Sequence, residues 1–409
     1  MGIGAIVYAG AALLAYGLVS RRLASSPVSG PLFLATFGLI GYATGVLPPI
    51  NLVESPIAIV LELTLALVLF TDASRVQLRS WKADMELPTR LLAIGMPLTI
   101  VLGTVAAYLV FPSVGLVGAA VIATILAPTD AALGSAVISN KRVPIRIREA
   151  LGVESGLNDG IALPILLFLL TFALAEEGEP LWKFFIEGIG IAVLVGLIMG
   201  VGVAHAIRFA LQRSWIEVQW VRLSWVIVAL GTYIVAEHLG GSGFIAAYIA
   251  GFTFGRIVDR LETPTEHFSQ AGEGLGAVLT MTSFLIFGAY LLAPNLAAFT
   301  AATVFYAAMS LTVVRVIPVA VSMIGTGLAP PTLAYLGWFG PRGLASIIFT
   351  GVLVERAGLE QTHSIVGAIF VTVAISVLFH GVTAPWGATK YADWCDAQPE
   401  ATGQDEPIS

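Results

Sequence analysis

The stretch Gly152-Val153-Glu154-Ser155-Gly156-Leu157-Asn158-Asp159-Gly160 lies inside a long apolar run, read as one helix over about 146–174. It places four polar side chains within six positions of that run. On a helix Ser155 and Asp159 share one face, and Glu154 and Asn158 share the adjoining one. The chain around this stretch is poor in charge. Charged residues make up 11% of the 409, apolar residues 57%, and mean hydropathy is +0.91. Soluble domains carry about 25% charged residues. That balance excludes an ordinary soluble enzyme, a nucleic-acid-binding protein and a disordered chain. Barrel strands are short and alternate in polarity, whereas the runs here, such as Ala192–Val203, are long and unbroken. The class that remains is an all-α polytopic membrane protein in contact with a lipid bilayer.

Spans are expected at about 3–20, 31–47, 56–74, 88–111, 114–139, 146–174, 181–212, 221–238, 243–256, 268–292, 296–324, 332–354 and 363–388. Thirteen helices suit this length at roughly 30 residues per span and connection. Arg21 and Arg22 follow the first apolar run instead of preceding it, which reads as a retained helix with its N-terminus outside. In that orientation 16 of the 20 Lys and Arg fall in cytoplasmic connections, while Lys183 and Arg356 fall outside. Such an asymmetry places the C-terminus in the cytoplasm of a cell-membrane protein. The single cysteine, Cys395, excludes an intrachain disulfide and a cysteine-based metal site. Residues 391–409 carry Asp393, Asp396, Glu400, Asp405 and Glu406 and no base, and read as a short, disordered acidic tail.

Two spans look interrupted. The fifth contains Ala127-Pro128-Thr129-Asp130-Ala131-Ala132, the twelfth Gly340-Pro341-Arg342-Gly343-Leu344-Ala345-Ser346. Each sets a proline mid-span, then polar residues, then small ones, and the topology runs them in opposite directions. Helices one to six and eight to thirteen then form inverted-topology repeats, with helix seven as the link. Paired interrupted helices of this kind are a pointer to a transporter's binding site.

Ionisable residues at mid-span need a partner, a watery cavity or a function. Those in question are Glu62, Asp72, Asp130, Glu154, Asp159, Arg315 and Arg342. Pro128 cannot donate a backbone hydrogen bond, so the helix is expected to unwind beside it and free carbonyls, including that of Thr129. Free carbonyls, the Asp130 and Asp159 carboxylates and the Ser155 hydroxyl make an all-oxygen set that suits a hard cation. The histidines His205, His238, His267, His363 and His380 are expected at surfaces or helix ends. Glu154 is expected to pair with Arg342, tying the interrupted helices together. Arg315 either compensates the negative end of a half-helix at the crossing or reaches to the cytoplasmic surface. Asp72 is either a gate acid acting through water or a helix-end residue beside Arg75. Glu62 is expected at an interface, without a chemical role.

Together these segments resemble the monovalent cation/proton antiporter superfamily of the NhaP/NHE type. Thr129-Asp130, Glu154-Ser155-x-x-Asn158-Asp159 and Gly340-Pro341-Arg342-Gly343 carry the likeness, over roughly residues 1–390. The resemblance implies a homodimer and exchange of Na⁺ or Li⁺ for H⁺, without a cofactor or enzymatic chemistry. It implies a transport core at about 88–174 and 296–388, scaffold helices at about 1–74 and 221–292, and a linker at about 181–212. It implies cation binding by Asp159, Asp130, Ser155 and the Thr129 carbonyl, with Asp72 reached through water and Glu154–Arg342 as a structural pair. Asn158 before Asp159 resembles the electroneutral branch, which exchanges one cation for one proton. A K⁺/H⁺ antiporter and a cation channel are the alternatives; an intramembrane aspartyl protease fits Asp130 and Asp159 but not the paired broken helices.

Overall fold

A computed structural model describes residues 3–23, 26–50, 56–75, 85–174, 184–258, 269–357 and 359–397. Among these residues every regular element is a helix. In chain order they are α1 (Ile3–Leu23), α2 (Gly30–Ala43), α3 (Pro56–Arg75), α4 (Glu86–Val110), α5 (Gly115–Ile125) and α6 (Ser135–Ile138). There follow α7 (Ile145–Leu174), α8 (Ala192–Gln212), α9 (Val218–His238), α10 (Gly243–Val258) and α11 (Gln270–Ala298). The last are α12 (Ala301–Ser322), α13 (Pro330–Trp338), α14 (Leu344–Ala357) and α15 (Leu359–Ala397). Among the described residues nine helices are long and apolar enough to cross a membrane, and four shorter apolar ones accompany them. Large apolar side chains such as Ile3, Leu18, Leu109 and Ile198 stand exposed, as they do on a surface whose solvent is lipid.

The chain divides into two compact units. The first holds residues 1–53, 84–158 and 281–409; the second holds 54–83 and 159–280. α7 and α11 contribute to both. The segment expected as scaffold at 1–74 is thus shared between them, α1 and α2 falling in the first unit.

In the first unit, α2 begins where Ser29 accepts the Leu32 N–H at 3.3 Å, with Pro31 in the first turn. It lies directly on α11. A Cβ on Gly38 would overlap the Leu285 carbonyl, and one on Gly288 would overlap the Ala35 carbonyl, so the two backbones touch only because both are glycine. α12 starts from a Thr300–Thr303 capping box and is kinked at Thr312, where φ/ψ is −116°/−88°. α15 differs from expectation. It continues as helix to Ala397, through residues expected to be disordered. Tyr391, Ala392 and Cys395 carry its apolar face into a core with Leu87, Ile147, Tyr335 and Leu336. Asp393 and Asp396 both pair with Arg142 at 2.6 Å. The remainder of the acidic tail, 398–409, lies outside the described residues, as do Arg79, Lys82, Lys183, Arg260 and His267 and the side chains of Arg356 and His363.

The second unit is a panel of α3, α10 and α8 with α9 against it. Gly251 and Gly255 of α10 face the backbones of Phe70 and Ser74 on α3. Gly196 and Gly200 of α8 face the Ala246 and Ala250 carbonyls on the other side of α10. Two small-xxx-small ladders therefore clasp one short helix from both sides. Phe70, Trp225 and Phe254 meet in edge and tilted contacts beside them.

Candidate functional site: two broken helices and a polar cluster

The first unit contains two interruptions in the middle of apolar helices. α5 stops at Ile125 and the chain is irregular until α6 begins at Ser135; α13 stops at Trp338 and α14 begins at Leu344. Pro128 and Pro341 lie in the two gaps, as the missing amide hydrogen of each requires. Backbone groups released in a membrane interior need new partners, and the gaps supply them to one another. The Asp130 N–H donates to the Pro341 carbonyl at 2.8 Å. The Leu344 N–H, first of α14, donates to Asp130 Oδ2 at 2.7 Å. Asp130 Oδ1 accepts from the Ala132 and Leu133 amides at 2.7 and 3.3 Å. One carboxylate thus caps its own turn and the start of the opposite half-helix, where the helix dipole favours negative charge. Gly343 is required for this, because a Cβ there would collide with the Asp130 carboxylate.

Arg342 is fully buried. Its Nη1 donates to the carbonyls of Ala127 at 3.1 Å, Pro128 at 3.4 Å and Gly340 at 3.1 Å. It serves the carbonyls freed by both gaps. The ion pair expected between Glu154 and Arg342 is absent: Glu154 pairs with Arg315 instead, Nη1 to Oε1 at 2.5 Å and Nη2 to Oε2 at 2.8 Å. Both partners are buried. The planar fork of Arg315 meets the carboxylate with two parallel bonds, while Arg342 is committed to carbonyls. Arg315 does not reach the surface; beside its pair with Glu154, its Nη2 donates to the Leu336 carbonyl in the last turn of α13 at 3.4 Å, so it also meets the negative end of that half-helix.

Beside the first gap lies a buried polar cluster. Asn158 Nδ2 donates to Thr129 Oγ1 at 2.8 Å, and Thr129 Oγ1 lies 3.0 Å from Ser155 Oγ. All three residues are buried. The cluster joins α7 to the unwound segment through side chains one turn apart on α7. Asp159 follows on α7, one turn beyond Ser155, and is itself buried. Asp159 belongs to the second unit, with Asp72, which is half-buried on α3. There Gly160 lies under the ring of Tyr248, with no room for a Cβ, and Tyr248 is an electrostatic neighbour of Asp159. Tyr248 was not singled out from the sequence; the glycine after Asp159 was the available signal. Glu62, expected at an interface without a chemical role, is also half-buried on α3 and accepts a hydrogen bond from the Tyr233 hydroxyl at 2.9 Å. Among the described residues no three His, Cys, Asp or Glu side chains gather into a metal-holding group. Hydroxyl, amide and carboxylate oxygens are what the region offers to a cation.

His205 and His238 are exposed, as expected, but His380 is buried within α15. Its Nε2 lies 2.9 Å from the Trp338 carbonyl, at the edge of the second gap.

Crossed, interrupted helices with buried charge at the crossing define a secondary membrane transporter. The comparisons agree. Residues 7–390 match the family of sodium/hydrogen exchanger transmembrane domains, and the chain belongs to that family. It is 25% identical over 396 residues to the K(+)/H(+) antiporter NhaP of Alkalimonas amylolytica, covering 95% of this chain and 67% of that one. It is 26% identical over 351 residues to the Na(+)/H(+) antiporter ApNhaP of Aphanothece halophytica, covering 82% and 65%. The chain thus spans about two thirds of the length of these relatives. The fold matches the structure of the sodium proton antiporter MjNhaP1 from Methanocaldococcus jannaschii at pH 8 with a TM-score of 0.72 and 19% identity, over 95% of this chain and 99% of that one.

Proposed function

We propose that this chain exchanges Na⁺ or Li⁺ for H⁺ across the cell membrane, one for one, with Asp159 as the group that carries either ion. The observation that carries this reading is the polar arrangement at the first gap: Thr129, Ser155 and Asn158 in one hydrogen-bonded cluster, with Asp130 anchored between two half-helices. Asp159 stands one turn from Ser155 on the same face of α7. Burial favours the protonated carboxyl and a nearby cation favours its release. Competition for one carboxylate couples the two fluxes. Asp130, Ser155 and the Thr129 carbonyl complete the cation's oxygen shell, Asp72 contributes through water, and Asn158 adds no charge, which keeps the cation-loaded and proton-loaded states alike. Glu154–Arg315 and Arg342 maintain the scaffold of the site.

The assembly that goes with this reading is a homodimer with an outside N-terminus and cytoplasmic C-terminus, built from thirteen crossings in two inverted repeats. The core at about 88–174 and 296–388 moves against scaffold helices at about 1–74 and 221–292, with 181–212 as linker, so that the site faces each side in turn.

A proteoliposome assay with an internal pH dye, given Na⁺, Li⁺ and K⁺ separately, tests the reading. Cation-driven proton flux is expected with Na⁺ and Li⁺, unaffected by an imposed membrane potential and reduced to background in Asp159→Asn. Flux retained in that variant removes Asp159 from its role. The name of the Alkalimonas relative makes K⁺ the second candidate, and a response to K⁺ alone would select it. Current without proton counter-movement would mark a channel.

A further inference from the structure

In an uninterrupted helix the Arg342 N–H would donate to the Trp338 carbonyl, four residues back. The second gap pulls this pair apart, and two side chains of α15 stand between its halves. The Arg342 N–H donates to Ser376 Oγ at 2.7 Å. Ser376 Oγ lies 3.2 Å from His380 Nδ1, and His380 Nε2 lies 2.9 Å from the Trp338 carbonyl. A carbonyl only accepts, so Nε2 carries the proton; Nδ1 is then an acceptor, and the Ser376 hydroxyl, whose oxygen already receives the Arg342 amide, donates to it. The relay runs without a mismatch: Arg342 N–H to Ser376 Oγ–H to His380 Nδ1, and His380 Nε2–H to Trp338 O. Ser376 and His380 are one turn apart, and Thr383, a further turn along, accepts from Trp338 Nε1 at 3.0 Å.

We infer that His380 is a positioning residue for transport, a neutral imidazole that with Ser376 replaces the missing helical hydrogen bond and keeps α13 and α14 apart. His380 and Ser376 are buried, and the charged groups whose fields reach the ring are the guanidiniums of Arg342 and Arg315. Its Nδ1 also lies 3.2 Å from the Ser376 carbonyl, a longer contact than that of Nε2 to the Trp338 carbonyl, so the ring proton is assigned to Nε2. The gap held in this way presents the Leu344 amide to Asp130 and the Pro341 carbonyl to its N–H. Without the relay, the Arg342 amide can close onto the Trp338 carbonyl and withdraw the start of α14 from Asp130.

The consequence for transport rests on the exchange reading above. In proteoliposomes, His380→Leu is expected to raise the apparent KM for the driving cation about tenfold, the scale of one lost hydrogen bond to a charged group, with a smaller effect on maximal rate. His380→Gln, whose amide can donate to Trp338 and accept from Ser376, is expected to restore the wild-type KM with an unchanged pH profile. A wild-type KM in His380→Leu would overturn the inference; so would a His380→Gln variant with a shifted pH profile, which would make the ring a proton carrier. Should His380→Leu fail to fold, ¹⁵N-histidine NMR of the wild-type protein, assigned by difference against His380→Gln, decides the same point. A neutral ring protonated at Nε2 is expected, and a neutral ring protonated at Nδ1, or an imidazolium at pH 7, refutes the relay. The NMR result is independent of whether the wild type exchanges cations at all, so failure of the functional reading is distinguishable from failure of this one.

Discussion

The two gaps begin from similar sequence, a proline followed by polar and then small residues, yet they are filled by different chemistry. The gap at 126–134 is met by ionised groups: the Asp130 carboxylate takes three backbone amides, and the Arg342 guanidinium takes the Ala127 and Pro128 carbonyls. The gap at 339–343 shares these two groups, Asp130 taking the Leu344 amide and Arg342 the Gly340 carbonyl, but its edges are in addition joined by neutral side chains of α15, Ser376 and His380, with Thr383 on the Trp338 indole. Ionised groups reach both gaps, and what distinguishes the second is the uncharged Ser376–His380 brace across its edges. A shared pattern of breakage therefore does not imply a shared role. The residues that replace the lost helical bonds give the second gap a neutral brace from α15 beside the ionised groups that reach both gaps.

Substitutions can break this contrast or sharpen it. The largest effect is expected from Glu154→Leu, which leaves Arg315 buried without its carboxylate and lowers stability by about 3–5 kcal/mol. A double-mutant cycle read by thermal unfolding in detergent then assigns the arginines. Adding Arg315→Met should recover most of the loss, and adding Arg342→Met should not. Recovery by Arg342→Met would restore the pairing expected from sequence. Next comes Arg342→Met alone, which strands carbonyls of the first gap at about 1–3 kcal/mol for each acceptor left without a donor. Asp130→Asn loses the charge and turns one acceptor oxygen into an NH2 facing a backbone N–H, so at least one half-helix amide is left without its acceptor and about 1–3 kcal/mol is expected. An equal loss in Ser376→Ala and Asp130→Asn, with identical effects on cation KM, would erase the distinction between the charged cap and the neutral brace. Thr383→Val removes a single neutral hydrogen bond and should cost about 1 kcal/mol or less, with transport intact.

Much of the first gap was legible in the sequence, because proline and charge are rare signals against an apolar background. Pro128, Asp130, Glu154, Arg315 and Arg342 were all marked for this reason, and the break was expected where it occurs. The partner of Glu154 was not legible. Two buried arginines competed for one carboxylate, and helical spacing says nothing of which guanidinium faces it across a bundle. The second gap's brace was hidden because serine and histidine in an apolar helix carry no mark of what they face, and His380 was expected near a surface. The helical extension to Ala397 was concealed by its acids: Asp393 and Asp396 look solvating until Arg142, some 250 residues earlier, is brought beside them. The ladders of Gly196 and Gly200 and of Gly251 and Gly255 sat in plain view, but glycine is common in this chain at 43 residues, so spacing alone did not single them out.

Those ladders act like the teeth of a key. Gly251 and Gly255 admit the Phe70 and Ser74 backbones only where they stand, with Phe252 and Arg256 next along the chain. A slip of α10 by one residue would set a side chain where no Cβ fits, and the next matching notch is four residues away, about 6 Å along the helix. Gly196 and Gly200 impose the same spacing on the opposite face. Gradual sliding among α3, α10 and α8 is thereby forbidden, and any displacement of one of these helices must carry the other two as a single slab.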